Sequence, residues 1–251
     1  MKEFDELIEI MDVLRGNKGC PWDQKQTRES LKSDFLEEVY EVLEAIDIGG
    51  DELKSELGDL LLHIVFQAKI SDEKKEFNIK NVVEGINKKL IRRHPHVFKK
   101  EQIISEEEVI KNWEEIKSEE KEIKKRKYIL DGVPKELPPL LRAQKIQEKV
   151  SAYGFDWKNK EEVFIKVEEE LNEIKQAAKN EDMNNLEEEI GDLLFSVTNY
   201  ARHYKINIDT AMRKANKKFQ GRFNYIEDNY NIKELDLNKM EKLWKESKKI
   251  K

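Results

Sequence analysis

The sequence predicts an all-α chain built from two homologous helical-bundle domains. Three observations carry that expectation. Apolar residues recur at helical spacing along the chain, as in Phe4, Leu7, Ile8, Met11 and Leu14. Charged residues make up 40% and the hydrophobic set 38%, a mixture that suits long amphipathic helices with Glu/Lys-rich outer faces. The second half of the chain also repeats the first, motif by motif and in order.

Taken from the N-terminus, the first apolar stripe ends at Gly16 and Gly19. Helices are expected near 28–48, 51–73, 79–93 and 106–126, separated by Gly49-Gly50, the polar stretch after Ser71, and Pro95. The segment DGVPKELPP at 131–139 holds three of the five prolines. Proline lacks the helical N–H and restricts its predecessor, so this is the natural break. It sets the expected domains at 1–126 and 139–251 with a linker at 127–138. Beyond it, helices are expected near 139–153, 161–179, 183–204, 208–229 and 236–249.

The repeat is specific. EEVYE (37–41) matches EELNE (169–173), ELGDLL (56–61) matches EIGDLL (189–194), and KLIRR (89–93) matches KFQGR (218–222). Trp113 matches Trp244, and the offsets drift only between 129 and 133 residues, as loop insertions produce.

Composition excludes several classes. A net charge of −6 argues against broad nucleic-acid binding, which shows as a basic surplus. The single cysteine, Cys20, rules out an internal disulfide framework; it suits a reducing compartment and a packing role. The acidic, amphipathic start is no signal peptide, and no apolar run reaches spanning length, so a cytoplasmic protein is expected.

Chemistry concentrates in the carboxylates. Each half carries Glu-Glu-x-x-Glu followed by Glu-x-x-Asp: Glu37, Glu38, Glu41, Glu56 and Asp59, then Glu169, Glu170, Glu173, Glu189 and Asp192. Residues three apart share a helix face, and short connections favour antiparallel neighbours. Glu38, Glu41, Glu56 and Asp59 would then converge in one half, and Glu170, Glu173, Glu189 and Asp192 in the other. Converging carboxylates repel, burial among leucines sharpens the cost, and a divalent cation resolves it. All-oxygen ligands point to Mg²⁺ or Mn²⁺ rather than zinc. For one such motif in so acidic a chain a solvated face is the ordinary explanation, but both pairs recur in both halves. Gly58 and Gly191 precede each Asp, and a mid-helix glycine costs about 1 kcal/mol, so close helix approach is expected there. Carboxylate di-iron chemistry is disfavoured, because none of His63, His94, His96 and His203 has Glu three residues before it. His63 aligns with Ser196 and reads as packing.

Lys218 and Arg222, four apart, offer phosphate-binding cations on one face, as do Lys89 and Arg93. Trp244 and Trp113 could stack on a base, although core packing is the commoner role of such a Trp.

Together with RGNKGCPWDQKQT (15–27), RRHPHVF (92–98) and KANKKFQGRF (214–223), these motifs resemble the MazG family of nucleoside triphosphate pyrophosphohydrolases in its duplicated form. The resemblance covers nearly the whole chain; a methyltransferase domain fused ahead of this unit in some relatives has no counterpart. It implies Mg²⁺-dependent cleavage of NTPs and dNTPs between the α and β phosphates, a helical-bundle fold and a homodimer. It puts the metal ligands at Glu170, Glu173, Glu189 and Asp192, and the substrate contacts at Lys218, Arg222 and Trp244. Glu169 or Glu188, beside the ligands, could serve as general base, and the residues do not choose between them. The second half is expected to carry most of the catalysis, because Asn199 there offers an amide where Phe66 offers a ring. The alternative is a dimeric helical interaction scaffold that kept the repeat and lost the chemistry; degraded carboxylates would mark it, yet both sets are complete.

Overall fold

The computed structural model describes residues 2–99 and 127–248, with positions 105, 106, 108, 109, 112, 113 and 116 between them. The chain divides into two compact units, Met1–Glu120 and Lys121–Lys251. The described residues are helical, without strands. Most of the helix expected at 106–126 lies outside the described residues.

The first unit contains α1 (Lys2–Arg15), α2 (Pro21–Lys25), α3 (Lys32–Ile48), α4 (Gly50–Glu73), α5 (Ile79–Arg93) and α6 (Pro95–Phe98). α3 starts later than its apolar pattern suggests. Thr27 and Ser30 exchange hydrogen bonds between hydroxyls and backbone N–H groups, and residues 28–31 form a turn ahead of the helix. Gly49 and Gly50 have φ of 77° and 62°, a left-handed region that favours glycine, so the α3–α4 connection needs both. The core gathers Met11, Leu31, Val65, Phe66 and Ile70, with Phe4, Leu7 and Ile8 of α1 packed against it. Arg15 clamps this end: its guanidinium lies 5.2 Å from the Phe66 ring, pairs with Glu73 at 2.7 Å and donates to the Asp23 and Gln26 carbonyls.

The second unit contains a short 3₁₀ turn (Ile129–Gly132), then α7 (Pro139–Ser151), α8 (Lys160–Lys179), α9 (Met183–His203) and α10 (Ile208–Asn229). A second 3₁₀ turn (Ile232–Glu234) leads to α11 (Leu237–Ser247). The 3₁₀ turn falls within the proline-rich segment expected to be a linker and packs against α7. Four of its helices, α8 to α11, start at Asn or Asp N-caps whose side chains accept a backbone N–H: Asn159, Asp182, Asn207 and Asp236. α8 and α9 form the main antiparallel pair, as α3 and α4 do in the first unit. Polar groups tie α7 to α9 and α10: Gln147 Nε2 donates to the Phe195 carbonyl at 2.8 Å, and Gln144 Oε1 accepts from Ile208 N at 2.9 Å. Both glutamines are buried, a polar fastening that an apolar periodicity does not reveal.

The close approach expected at Gly58 and Gly191 is not found. A Cβ built at either position would meet nothing within 4 Å among the described residues. Both glycines lie on the exposed flank of their helices, so the repeat keeps them without a packing demand inside the unit.

Candidate functional site

Each antiparallel pair brings three carboxylates together. In the first unit Glu38 of α3 meets Glu56 and Asp59 of α4; in the second, Glu170 and Glu173 of α8 meet Glu189 of α9. Within each group, one oxygen per residue lies within 4.8 Å of every other. The cause is the three-residue spacing on facing helices joined by short turns.

The electrostatics are those of crowded acids. Burial, then the charges of Glu41, Asp59 and Glu37, pushes the Glu38 carboxyl above its usual range. Burial and the charges of Glu41 and Asp59 do the same to Glu56. Glu173 is raised by its hydrogen bond with Glu170, by burial, and by the charge of Glu189. Glu38 Oε2 is buried without a hydrogen-bond partner among the described residues. A set of hard oxygen donors, mutually repelling and with an orphaned buried oxygen, fits a divalent cation such as Mg²⁺ or Mn²⁺.

Two expected ligands stand outside the tight groups. Glu41 acts on Glu38 and Glu56 through its charge but is not among the mutually close oxygens, and neither is Asp192, which is exposed. One residue was not foreseen. Lys166, one turn before Glu170, sits 2.7 Å from Glu170 Oε1 and 3.0 Å from Glu169 Oε1, and these hydrogen bonds raise its own pKa. The signal was legible as an i, i+4 Lys–Glu pair, but in a chain this rich in Lys and Glu such pairs are ordinary. Glu188 lies exposed on α9.

Lys218 and Arg222 lie on α10. Arg222 is brought to Trp244 of α11, its guanidinium 5.7 Å from the ring centroid, and Phe219 packs on the same ring at 4.8 Å. The first unit repeats this pairing, with Arg93 5.1 Å from the Trp113 ring. Here His94 adds an edge contact at 4.9 Å. Asn199 is 4% exposed, and its Oδ1 accepts from Arg202 Nε at 2.8 Å. Arg202 and His203 both reach Asp156. Burial alone would raise Asp156, but hydrogen bonds from Arg202 and Ser151 and the Arg202 charge outweigh it and hold the carboxyl at about 2. His63, the counterpart of Ser196, is buried in an edge contact with Phe35, its Nε2 3.9 Å from Glu38 Oε1. No described helix is long and apolar enough to cross a membrane.

The sequence pattern of the MazG nucleotide pyrophosphohydrolase domain matches twice, at residues 26–98 and 159–226. Those matches contain both carboxylate groups. The chain is 46% identical to the nucleoside triphosphate pyrophosphohydrolase/pyrophosphatase MazG of Thermotoga maritima, over 98% of this chain and 95% of that one. It is 42% identical to the nucleoside triphosphate pyrophosphohydrolase of Escherichia coli K12, over 99% and 98% of the two chains. It is also 42% identical to the uncharacterized protein YabN of Bacillus subtilis, covering 98% of this chain and 52% of YabN. Two matched domains, each presenting a carboxylate cluster between paired helices, and full-length similarity to named members lead to one conclusion: the chain belongs to the MazG family of nucleotide pyrophosphohydrolases, hydrolases acting on acid anhydrides.

Proposed function

We propose that this protein hydrolyses nucleoside triphosphates, NTPs and dNTPs alike, to the monophosphate and pyrophosphate in a Mg²⁺-dependent reaction, chiefly in its second half. The observation that carries the reading is the three-carboxylate group between paired helices, present in both family-matched domains. Mg²⁺, or Mn²⁺ in its place, would be held by Glu170, Glu173 and Glu189, with Asp192 one turn beyond Glu189, and supplies Lewis-acid charge neutralisation at the polyphosphate when bound. In the first half the corresponding set is Glu38, Glu56 and Asp59 with Glu41.

The chain's own residues do the rest. Lys218 and Arg222 bind phosphate oxygens, and Arg222 is braced against Trp244, which limits the rotamers it must lose on binding. Trp244 offers its remaining ring surface to a base, the sequence-tolerant contact that broad base acceptance requires. Asn199 is the amide assigned to the sugar in this reading; in this structure it is 4% exposed and its carbonyl oxygen is engaged by Arg202. The attacking water gives its proton to Glu169 or Glu188. Lys166 ties down Glu169, so the exposed Glu188 is the freer of the two.

A homodimer accompanies this reading. Leu57, Leu61 and Ile64 of α4, and Ile190, Leu194 and Val197 of α9, remain exposed beside the clusters, and a second copy would cover such surfaces. Hydrolysis of stray nucleotides in the cytoplasmic pool is the proposed physiological role. Incubating the protein with ATP and Mg²⁺ tests the reaction: AMP with pyrophosphate and no ADP is the expected outcome, and ADP with orthophosphate would overturn it.

A further inference from the structure

We propose that the two carboxylate clusters have diverged in their hold on a divalent cation. The first-half cluster keeps one without nucleotide, whereas the second-half cluster is occupied by an internal lysine and forms the weaker site. This rests on the divalent-cation reading of both clusters.

The divergence traces to one repeat position. Four residues before Glu170 stands Lys166, and four before Glu38 stands Asp34. The Lys166 ammonium contacts Glu170 and Glu169 at 2.7 Å and 3.0 Å, while the Glu170 side chain is only 5% exposed. A cation entering the second cluster must therefore compete with a positive charge already hydrogen-bonded to its most buried ligand. In the first half the same position adds a negative charge. Asp34, Glu37 and Glu38 line one cavity of about 340 Å³ with Asp23, Trp22 and His63, and no lysine or arginine lines it. Two polar atoms of these residues, Glu38 Oε2 and His63 Nδ1, are buried without partners among the described residues, and His63 is 8% exposed. His63 Nε2 lies 3.9 Å from Glu38 Oε1, beyond hydrogen-bonding distance, whereas Lys166 sits 2.7 Å from Glu170. The repulsion left standing in the first cluster is thus relieved by an incoming cation, and that in the second is already relieved in part.

The test is a Mn²⁺ titration of the metal-stripped full-length chain at pH 8 without nucleotide. Free Mn²⁺ is followed by its paramagnetic resonance, with helicity checked by circular dichroism. One tight Mn²⁺ per chain and a second bound at least tenfold more weakly are expected. Glu38→Gln should remove the tight class and leave the weak one; if that variant loses helicity, Glu56→Gln reads the same class. Lys166→Met should tighten the weak class about tenfold, and Asp34→Lys should weaken the tight class by a similar factor. Two equal classes, loss of the tight class in Glu173→Gln instead, or a folded Lys166→Met with unchanged binding would each overturn the divergence while leaving the cation reading in place. No binding at millimolar Mn²⁺ would overturn both.

Discussion

Replacing Asp156 by Asn keeps its shape and removes the charge on which Arg202, His203 and, through Arg202, Asn199 converge. The carboxyl is held at about 2 against an ordinary 3.8, with its side chain 23% exposed. That gap corresponds to about 2.4 kcal/mol by linkage, and allowing for solvent screening about 1–2 kcal/mol remains at pH 7. The sign follows from the direction of the shift. A depressed carboxyl contributes fully above its unfolded pKa and loses the contribution as pH falls toward its folded pKa. The difference in melting temperature between wild type and Asp156→Asn should therefore be about 3–8 °C at pH 7. It should hold to about pH 4.5, shrink from about pH 4, and be nearly gone at about pH 2. Thermal unfolding followed by circular dichroism across that range is the assay. A difference that stays constant down to pH 3, or none at pH 7, would refute the claim that ionised Asp156 anchors this network.

Other expectations follow from the same geometry. Glu173→Gln should lose nearly all Mg²⁺-dependent turnover while keeping its helicity, and Glu41→Gln only a minor part; equal losses in a pyrophosphate-release assay would reverse the assignment of the main catalytic half. Gly58→Ala and Gly191→Ala should each stabilise by about 0.5–1 kcal/mol, since a helix gains and no neighbour among the described residues stands within 4 Å of the added Cβ, and a lowered melting temperature would reveal a contact outside the unit. Arg222→Lys should raise KM for ATP more than tenfold, because lysine lacks both the fork and the stacking on Trp244; an unchanged KM would remove Arg222 from phosphate binding.

The sequence by itself pointed to most of the described helices, to the duplication and to the acids from which the two clusters are drawn. The reason is periodicity: a three-residue spacing places two carboxylates on one face whatever the surroundings, and short connections make the next helix its antiparallel neighbour. Order in the repeat then raised these acids above the many others in the chain. What surrounds each acid is a different matter, because it depends on residues distant in sequence or on pairs too common to notice. Only the packed helices decided that Lys166 lies on Glu170 and Glu169 while Glu38 keeps an orphaned oxygen beside His63. The tertiary structure also assigned the Asn199 carbonyl to Arg202, set Arg222 against Trp244, and left Gly58 and Gly191 facing open space. Propensity acts along the helix, whereas the neutralisation of a buried charge depends on which side chain the fold brings within hydrogen-bonding distance.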